Sequence, residues 1–259
     1  MNITGIIPAR MDSSRFPGKP LAVICDRAMI YHVYHRSKMA RVLDEIYIAT
    51  CDKKIKDYCE KNNMNVIMTK NTHQMASDRA SEAMKKIEKE KNKKIDIVVM
   101  IQGDEPMVFP EMIGLSLKPM LEDSAVSVVN LVSPVKNEKE AEDSNAVKVV
   151  FDKGGNALYF SRDPIPSGRK TKKTPIRYKQ VPIIPFRRDF LIKFNELSRT
   201  PLEIVESVDM LRLLEHGYKV KTAVSEFITY GVDTPGDLKR VEGLMKDDPL
   251  ISRYREGKQ

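Results

Sequence analysis

Apolar residues fall along the first half of the chain in two alternating rhythms. Short apolar runs at Ile3–Pro8, Glu45–Thr50, Asn65–Thr69, Ile97–Gln102 and Ala125–Leu131 read as strands. Between them, Ala28–Ala40, Lys53–Asn62, Ser77–Glu88 and Glu111–Leu121 carry apolar residues at three- and four-residue intervals, which predicts helices. The run IVVMIQ is almost wholly apolar, as expected of a strand covered by helices on both faces. Strands and helices alternating at this length argue for a mostly parallel sheet with right-handed crossovers.

The second half has a different pattern. Strand candidates Ala146–Phe151 and Gln180–Pro185 flank a polar, Pro-rich stretch, SRDPIPSGRKTKKTPIRYK. A helix over Pro201–His216, a strand over Tyr218–Val224 and a closing helix over Pro235–Met245 follow. Thr234 is a good N-cap for the last of these, with Pro235 in its first turn. There is no internal repeat and no low-complexity linker. The pattern predicts a single α/β domain over 1–259 with an embedded subregion at about 146–216.

Composition narrows the class. Of 259 residues, 41% are hydrophobic and 31% charged, which suits a globular protein with a real core. The formal net charge of +8 favours an anionic partner. Cys25, Cys51 and Cys59 are odd in number and lack metal-ligand spacing, so a disulfide framework is not expected and a reducing cytoplasm is. No stretch reaches the roughly 20 apolar residues of a membrane helix. The opening MNITGIIPAR lacks the layout of a signal peptide. A soluble cytoplasmic protein is expected.

Candidate chemistry begins at IIPARMDSSRFPGKPL, where a strand runs into a turn carrying Arg10, Arg15 and Lys19, with Ser13 and Ser14 between them. Neither the Walker pattern nor the dinucleotide glycine fingerprint is present. The physics is nonetheless that of a polyphosphate site: backbone N–H groups at a strand end, three long cations, and Gly18 allowing close backbone approach. In IQGDEP, Asp104 stands at the carboxyl edge of the sheet, a natural position for a Mg²⁺ ligand beside phosphates. In GVDTP, Asp233 lies between a short strand and a helix. Taken singly, the three also fit a solvated basic loop, an acidic turn and a helix cap.

Together and in this order they resemble the CMP-Kdo synthetases, the 3-deoxy-manno-octulosonate (Kdo) cytidylyltransferases. The likeness extends over nearly the whole chain, through MIYHVYHRS, YIATCD, SDR, QGDEP, YFSRDPIP, FRRDFL, TPLEIVESVDMLRLLEHGY and GVDTPGDL. It implies an α/β nucleotidyltransferase fold with a mixed, mainly parallel sheet and a smaller dimerisation subregion. The implied reaction is transfer of CMP from CTP to an acidic sugar, with Mg²⁺ as cofactor, release of pyrophosphate and a homodimeric enzyme. Arg10, Arg15 and Lys19 match the phosphate-loop cations and are the expected catalytic groups, and Asp104 and Asp233 match the metal-binding aspartates. Pro8, Ala9, Ser14, Ser77, Arg79 and Gln102 complete the implied nucleotide site. Acceptor positions are implied at Arg79, Gln102, Arg162, Arg169, Gln180, Ile184, Glu203 and Ile204.

The chain departs from the family mainly on the acceptor side. Gln180, Pro182 and Ile184 stand where the family has His, Gly and Tyr; Ile204 replaces Gln; Met75 and Ala76 alter the segment before SDR. A sugar hydroxyl facing isoleucine loses hydrogen bonds at roughly 1–3 kcal/mol each, so Kdo itself is expected to be a poor acceptor. Repacking without a change of substrate is the competing expectation. Another cytidylyltransferase acceptor, such as an amino-sugar acid or a small phosphonate, is the main alternative, and a degenerate homologue is disfavoured by Lys19, Asp104 and Asp233. A nucleic-acid binder would use the tract Arg169, Lys170, Lys172, Lys173, Arg177 and Lys179, but Tyr178 is its only aromatic. No nucleic-acid or membrane partner is expected, and the tract reads as a solvated loop over the site.

Overall fold

The first strand, β1 (Ile3–Ala9), is buried along its whole length, and so is β6 (Ile97–Ile101). Both are apolar on both faces because helices cover both. The computed structural model describes residues 1–12, 15–170 and 175–255, and these form two compact units, one from 1–114 with 229–255 and one from 115–228. Between β1 and β6 come the hairpin β2 (Val23–Ile24) and β3 (Arg27–Ala28), then β4 (Glu45–Thr50) and β5 (Val66–Met68). Strands β6, β1, β4 and β5 lie side by side in that order, every pair parallel. The crossovers are α1 (Met29–Lys38), α2 (Lys53–Lys61) and α3 (Ala76–Lys91), close to the helices predicted from apolar spacing. Helix α4 (Pro110–Glu122) carries the chain out of this unit.

The second unit is a mixed sheet. In sequence it holds β7 (Val129–Pro134), α5 (Glu138–Glu142), β8 (Lys148–Phe151), β9 (Ala157–Ser161), β10 (Tyr178–Val181), β11 (Ile183–Arg187), α6 (Arg188–Glu196), α7 (Pro201–Glu206), α8 (Met210–Glu215) and β12 (Lys221–Val224). The sheet order is β12-β7-β10-β8-β9, with β12 parallel to β7 and the other pairs antiparallel. The chain re-enters the first unit with α9 (Pro235–Met245), whose Thr234 side chain accepts from Asp237 N, and ends in α10 (Pro249–Arg255). Tyr254 of α10 is anchored on α1: its hydroxyl meets His32 Nδ1 at 2.9 Å and accepts from Arg36 Nε at 3.1 Å.

Elements α5, β9, α6 and α10 are absent from the pattern reading, and several predicted elements are shortened or divided. The strand expected from Ala125 starts four residues later, because Asp123 closes a turn through Ala125 N at 2.8 Å and Val126 N at 3.2 Å. The strand expected over Gln180–Pro185 is two strands parted at Pro182, which has no N–H to give a ladder. The helix expected over Pro201–His216 is also two, broken at Ser207 with φ 53°. There the Arg162 guanidinium donates to the carbonyls of Glu206 and Ser207 at 2.6 and 3.1 Å, taking acceptors that helix continuation would use.

Candidate functional site

The loop after β1 is tied at both ends. Met11 N donates to Asp52 Oδ2 at 2.8 Å, and Gly18 N returns to Met11 O at 2.9 Å. Gly18 has φ 78°, a left-handed conformation that a side chain would strain. It opens the single 3₁₀ turn Lys19–Leu21 that fixes the Lys19 backbone. Lys19 Nζ then donates to Asp104 Oδ2 at 2.8 Å and Asp233 Oδ1 at 3.2 Å, and Arg15 reaches Asp233 Oδ1 at 3.0 Å. The two aspartates are aligned through the backbone as well, since Val232 N donates to Asp104 O at 2.9 Å. Burial pulls the Lys19 pKa down, but attraction to Asp104 and then Asp233 outweighs it, so the net shift is upward and the ammonium stays charged. Its side chain is only 13% exposed, against 54% for Arg15.

Lys19, Arg15 and Asp104 line a cleft of about 300 Å³ whose wall also includes Pro8, Ala9, Arg10 and Gln102. The wall further includes His73, Gln74, Met75 and Ala76, the approach to α3, and Arg79 in its first turn. Arg79 is buried and held from behind, with Nη1 donating to Thr69 Oγ1 at 2.6 Å. The cleft thus gathers seven of the nine residues expected at the nucleotide. Ser77 is fully buried in the first turn of α3 and is not part of the cleft wall, and Ser14 lies outside the described residues. Asp12, His73 and Gln74 line the cleft without having been marked by any motif, and neither had Asp52 as the anchor of the loop.

Asp104 and Asp233 bring two carboxylates within reach of a single cation. Among the described residues no group of three or more His, Cys, Asp or Glu could enclose a metal ion. The donor set suits a hard cation that keeps water and takes its remaining ligands from phosphate oxygens, as Mg²⁺ does.

The positions matched to an acceptor in the second unit have a different character. Arg162 donates Nε to Glu206 O, Nη1 to Ser144 O and Nη2 to Ser207 O, at 2.6, 2.7 and 3.1 Å. Gln180 Nε2 donates to Asn130 Oδ1 at 2.6 Å. Ile184 is buried in β11. Glu203 is fully buried, with Arg212 donating to its two oxygens at 2.6 and 2.8 Å. Burial pushes its pKa up, but the Arg212 contacts more than reverse this and the carboxyl lies below its ordinary range. Ile204 and Arg169 are exposed. In the basic tract, Arg177 pairs with Glu138 at 2.8 Å and Lys179 with Glu140 at 2.7 Å, while Lys172 and Lys173 lie outside the described residues.

The chain also resembles known proteins along most of its length. Residues 4–222 match the family model described as cytidylyltransferase. The 3-deoxy-manno-octulosonate cytidylyltransferase of Syntrophotalea carbinolica is 39% identical over 95% of this chain and 99% of its own. The 8-amino-3,8-dideoxy-manno-octulosonate cytidylyltransferase of Shewanella pealeana is 42% identical over 96% of this chain and 100% of its own. A solved structure of CMP:2-keto-3-deoxy-manno-octonic acid synthetase complexed with CTP superposes with a TM-score of 0.86 at 36% identity, covering 95% of this chain and 99% of that one.

Proposed function

The chain belongs to the cytidylyltransferase family, and from that premise we propose that it transfers CMP from CTP to a Kdo-like sugar acid, releasing pyrophosphate. The observation that carries this reading is the Lys19 ammonium set between Asp104 and Asp233 at the end of a cleft edged by Arg10 and Arg15. In the reaction the acceptor's anomeric oxygen forms a bond to the α-phosphorus while the bond from that phosphorus to the oxygen bridging to the β-phosphate breaks. Lys19, Arg10 and Arg15 bind the triphosphate and neutralise the charge that builds on the departing pyrophosphate. Asp104 and Asp233 would hold Mg²⁺, which when bound would supply Lewis-acid neutralisation at the phosphates. Backbone ties at Met11, Gly18 and Val232 keep these groups in place, so that positioning contributes to the rate.

The acceptor class rests on both named relatives, one acting on Kdo and one on its 8-amino analogue. The second acceptor is a distinct reading favoured by the 42% identity of the Shewanella pealeana relative and by the departures at 180, 184 and 204. The enzyme is read as a cytoplasmic homodimer without a nucleic-acid or membrane partner. Three free cysteines suit a reducing compartment. No helix of the described residues is long and apolar enough to cross a membrane. Exposed Leu158, Ile204 and Val205 in the second unit offer apolar surface for self-association. The paired state of Arg177 and Lys179 leaves the tract less charge for a phosphate backbone.

The test is pyrophosphate release with CTP and Mg²⁺ in the presence of Kdo, its 8-amino analogue, other sugar acids and small phosphonates. A CMP-linked product with either octulosonate supports the reading. Turnover only with a phosphonate, or none with any acid, contradicts it.

A further inference from the structure

His73 has no part in the chemistry above, yet it lines the same cleft and follows β5, which β4 separates from β1 and β6, the strands that lead to Lys19 and Asp104. A nucleoside triphosphate laid with its phosphates on those groups can carry its base toward the β5 side. That side holds a prepared imidazole. His73 Nε2 is hydrogen-bonded to Glu82 Oε2, which also accepts Lys70 N at 3.0 Å, while Lys86 pairs with Glu82 Oε1 at 2.9 Å. His73 and Glu82 are 18% and 16% exposed, so the pair is sheltered from water. Nδ1 makes no hydrogen bond to any described residue.

We propose that His73, oriented by Glu82, accepts a hydrogen bond from the exocyclic amine of cytosine and sets the preference for CTP over UTP. This deepens the function proposed above and rests on it. The chemistry follows from the tautomer. With the Nε2 proton directed at the Glu82 carboxylate, Nδ1 carries the ring's lone pair and is the atom that can accept. Cytosine presents an N–H donor at position 4, where uracil presents a carbonyl oxygen. A lone pair facing that oxygen gains no hydrogen bond and meets like partial charge, which penalises the wrong base as well as rewarding the right one. Glu82 is accordingly a positioning residue. Burial pushes its pKa up, but its bonds to Lys86, His73 and Lys70 N bring it down to about 2, so it remains an acceptor throughout the working range.

The experiment measures affinities for Mg²⁺–CTP and Mg²⁺–UTP by calorimetry on the wild type, His73→Ala, His73→Asn and Glu82→Gln, with thermal melting as a check on folding. His73→Ala should cut the CTP:UTP affinity ratio by about tenfold or more, mainly through weaker CTP binding. His73→Asn, whose amide oxygen stands near the place of Nδ1, should recover part of that ratio, and Glu82→Gln should lower it less than His73→Ala does. An unchanged ratio in a folded His73→Ala overturns the assignment. If that variant does not fold, an unchanged ratio in Glu82→Gln together with a lost ratio in His73→Asn overturns it instead. A wild type that binds neither nucleotide overturns the nucleotide reading itself, whereas tight CTP binding with an unchanged ratio overturns only the role of His73.

Discussion

The charged residues of the first unit's cleft and those of the second unit matched to an acceptor are held in opposite ways. Around the cleft, Lys19 donates to Asp104 and Asp233, Arg15 pairs with Asp233, and Lys19, Arg15 and Asp104 also line open volume. In the second unit, Arg162, Gln180 and Glu203 donate to or accept from their own chain: main-chain carbonyls, Asn130 and Arg212 respectively. A group turned toward a cleft is restrained but available, while a group spent on its own fold supports the scaffold. Mutations in the two regions should therefore be read by different measurements, activity and nucleotide affinity in the first and stability in the second.

The largest effect should come from the second unit. Arg212→Ala leaves the Glu203 carboxylate buried without its main partner and is expected to cost about 3–5 kcal/mol, read as a fall in denaturation midpoint. A change within the range of surface substitutions breaks the contrast. Next, Asp104→Asn and Asp233→Asn should each lower turnover by roughly two orders of magnitude while the melting temperature stays near wild type. Either variant at wild-type rate removes that aspartate from the site. A smaller effect is expected from Gly231→Ala, whose Cβ comes to 3.1 Å from Glu105 Oε1 beside the Val232–Asp104 tie. A few tenths of an ångström of displacement there should raise the Mg²⁺ requirement severalfold, measured by metal titration of the rate. The last concerns acid. Because Glu82 sits at about 2 against an ordinary 4.5, its stabilising contribution is complete above about pH 4.5 and is lost as pH falls toward 2. Glu82→Gln should flatten the stability curve in that window and leave it parallel to wild type above it.

Much of this architecture can be read directly from the residue pattern. The parallel core of the first unit follows from apolar runs such as IVVMIQ, the phosphate-loop cations and Asp104 follow from motifs at strand ends, and Asp233 follows from GVDTP at the start of α9, where the short strand expected before it is absent among the described residues. Local rules failed where a distant partner decides. Nothing within 201–216 announces the break at Ser207, because the group that takes its carbonyls is Arg162, some forty-five residues earlier. The pattern reading missed α6: Leu191 and Phe194 are buried three apart, but adjacent RRD and NE mask the apolar stripe. His73 carries no motif; its place in the cleft depends on Glu82, one helical segment away. Gln180 and Ile184 stand out in the sequence, but whether each faces a ligand or the interior depends on Asn130 and on packing in β11.

The most direct test of the central claim, that the first unit's cleft is a metal-dependent CTP site complete before any acceptor arrives, is calorimetric titration of CTP into the wild-type protein without a sugar acid, once with Mg²⁺ and once with excess chelator. The account predicts one CTP bound per chain with Mg²⁺ and at least about tenfold weaker binding under chelation. No binding until an acceptor is added, or equal affinity with and without metal, would contradict it.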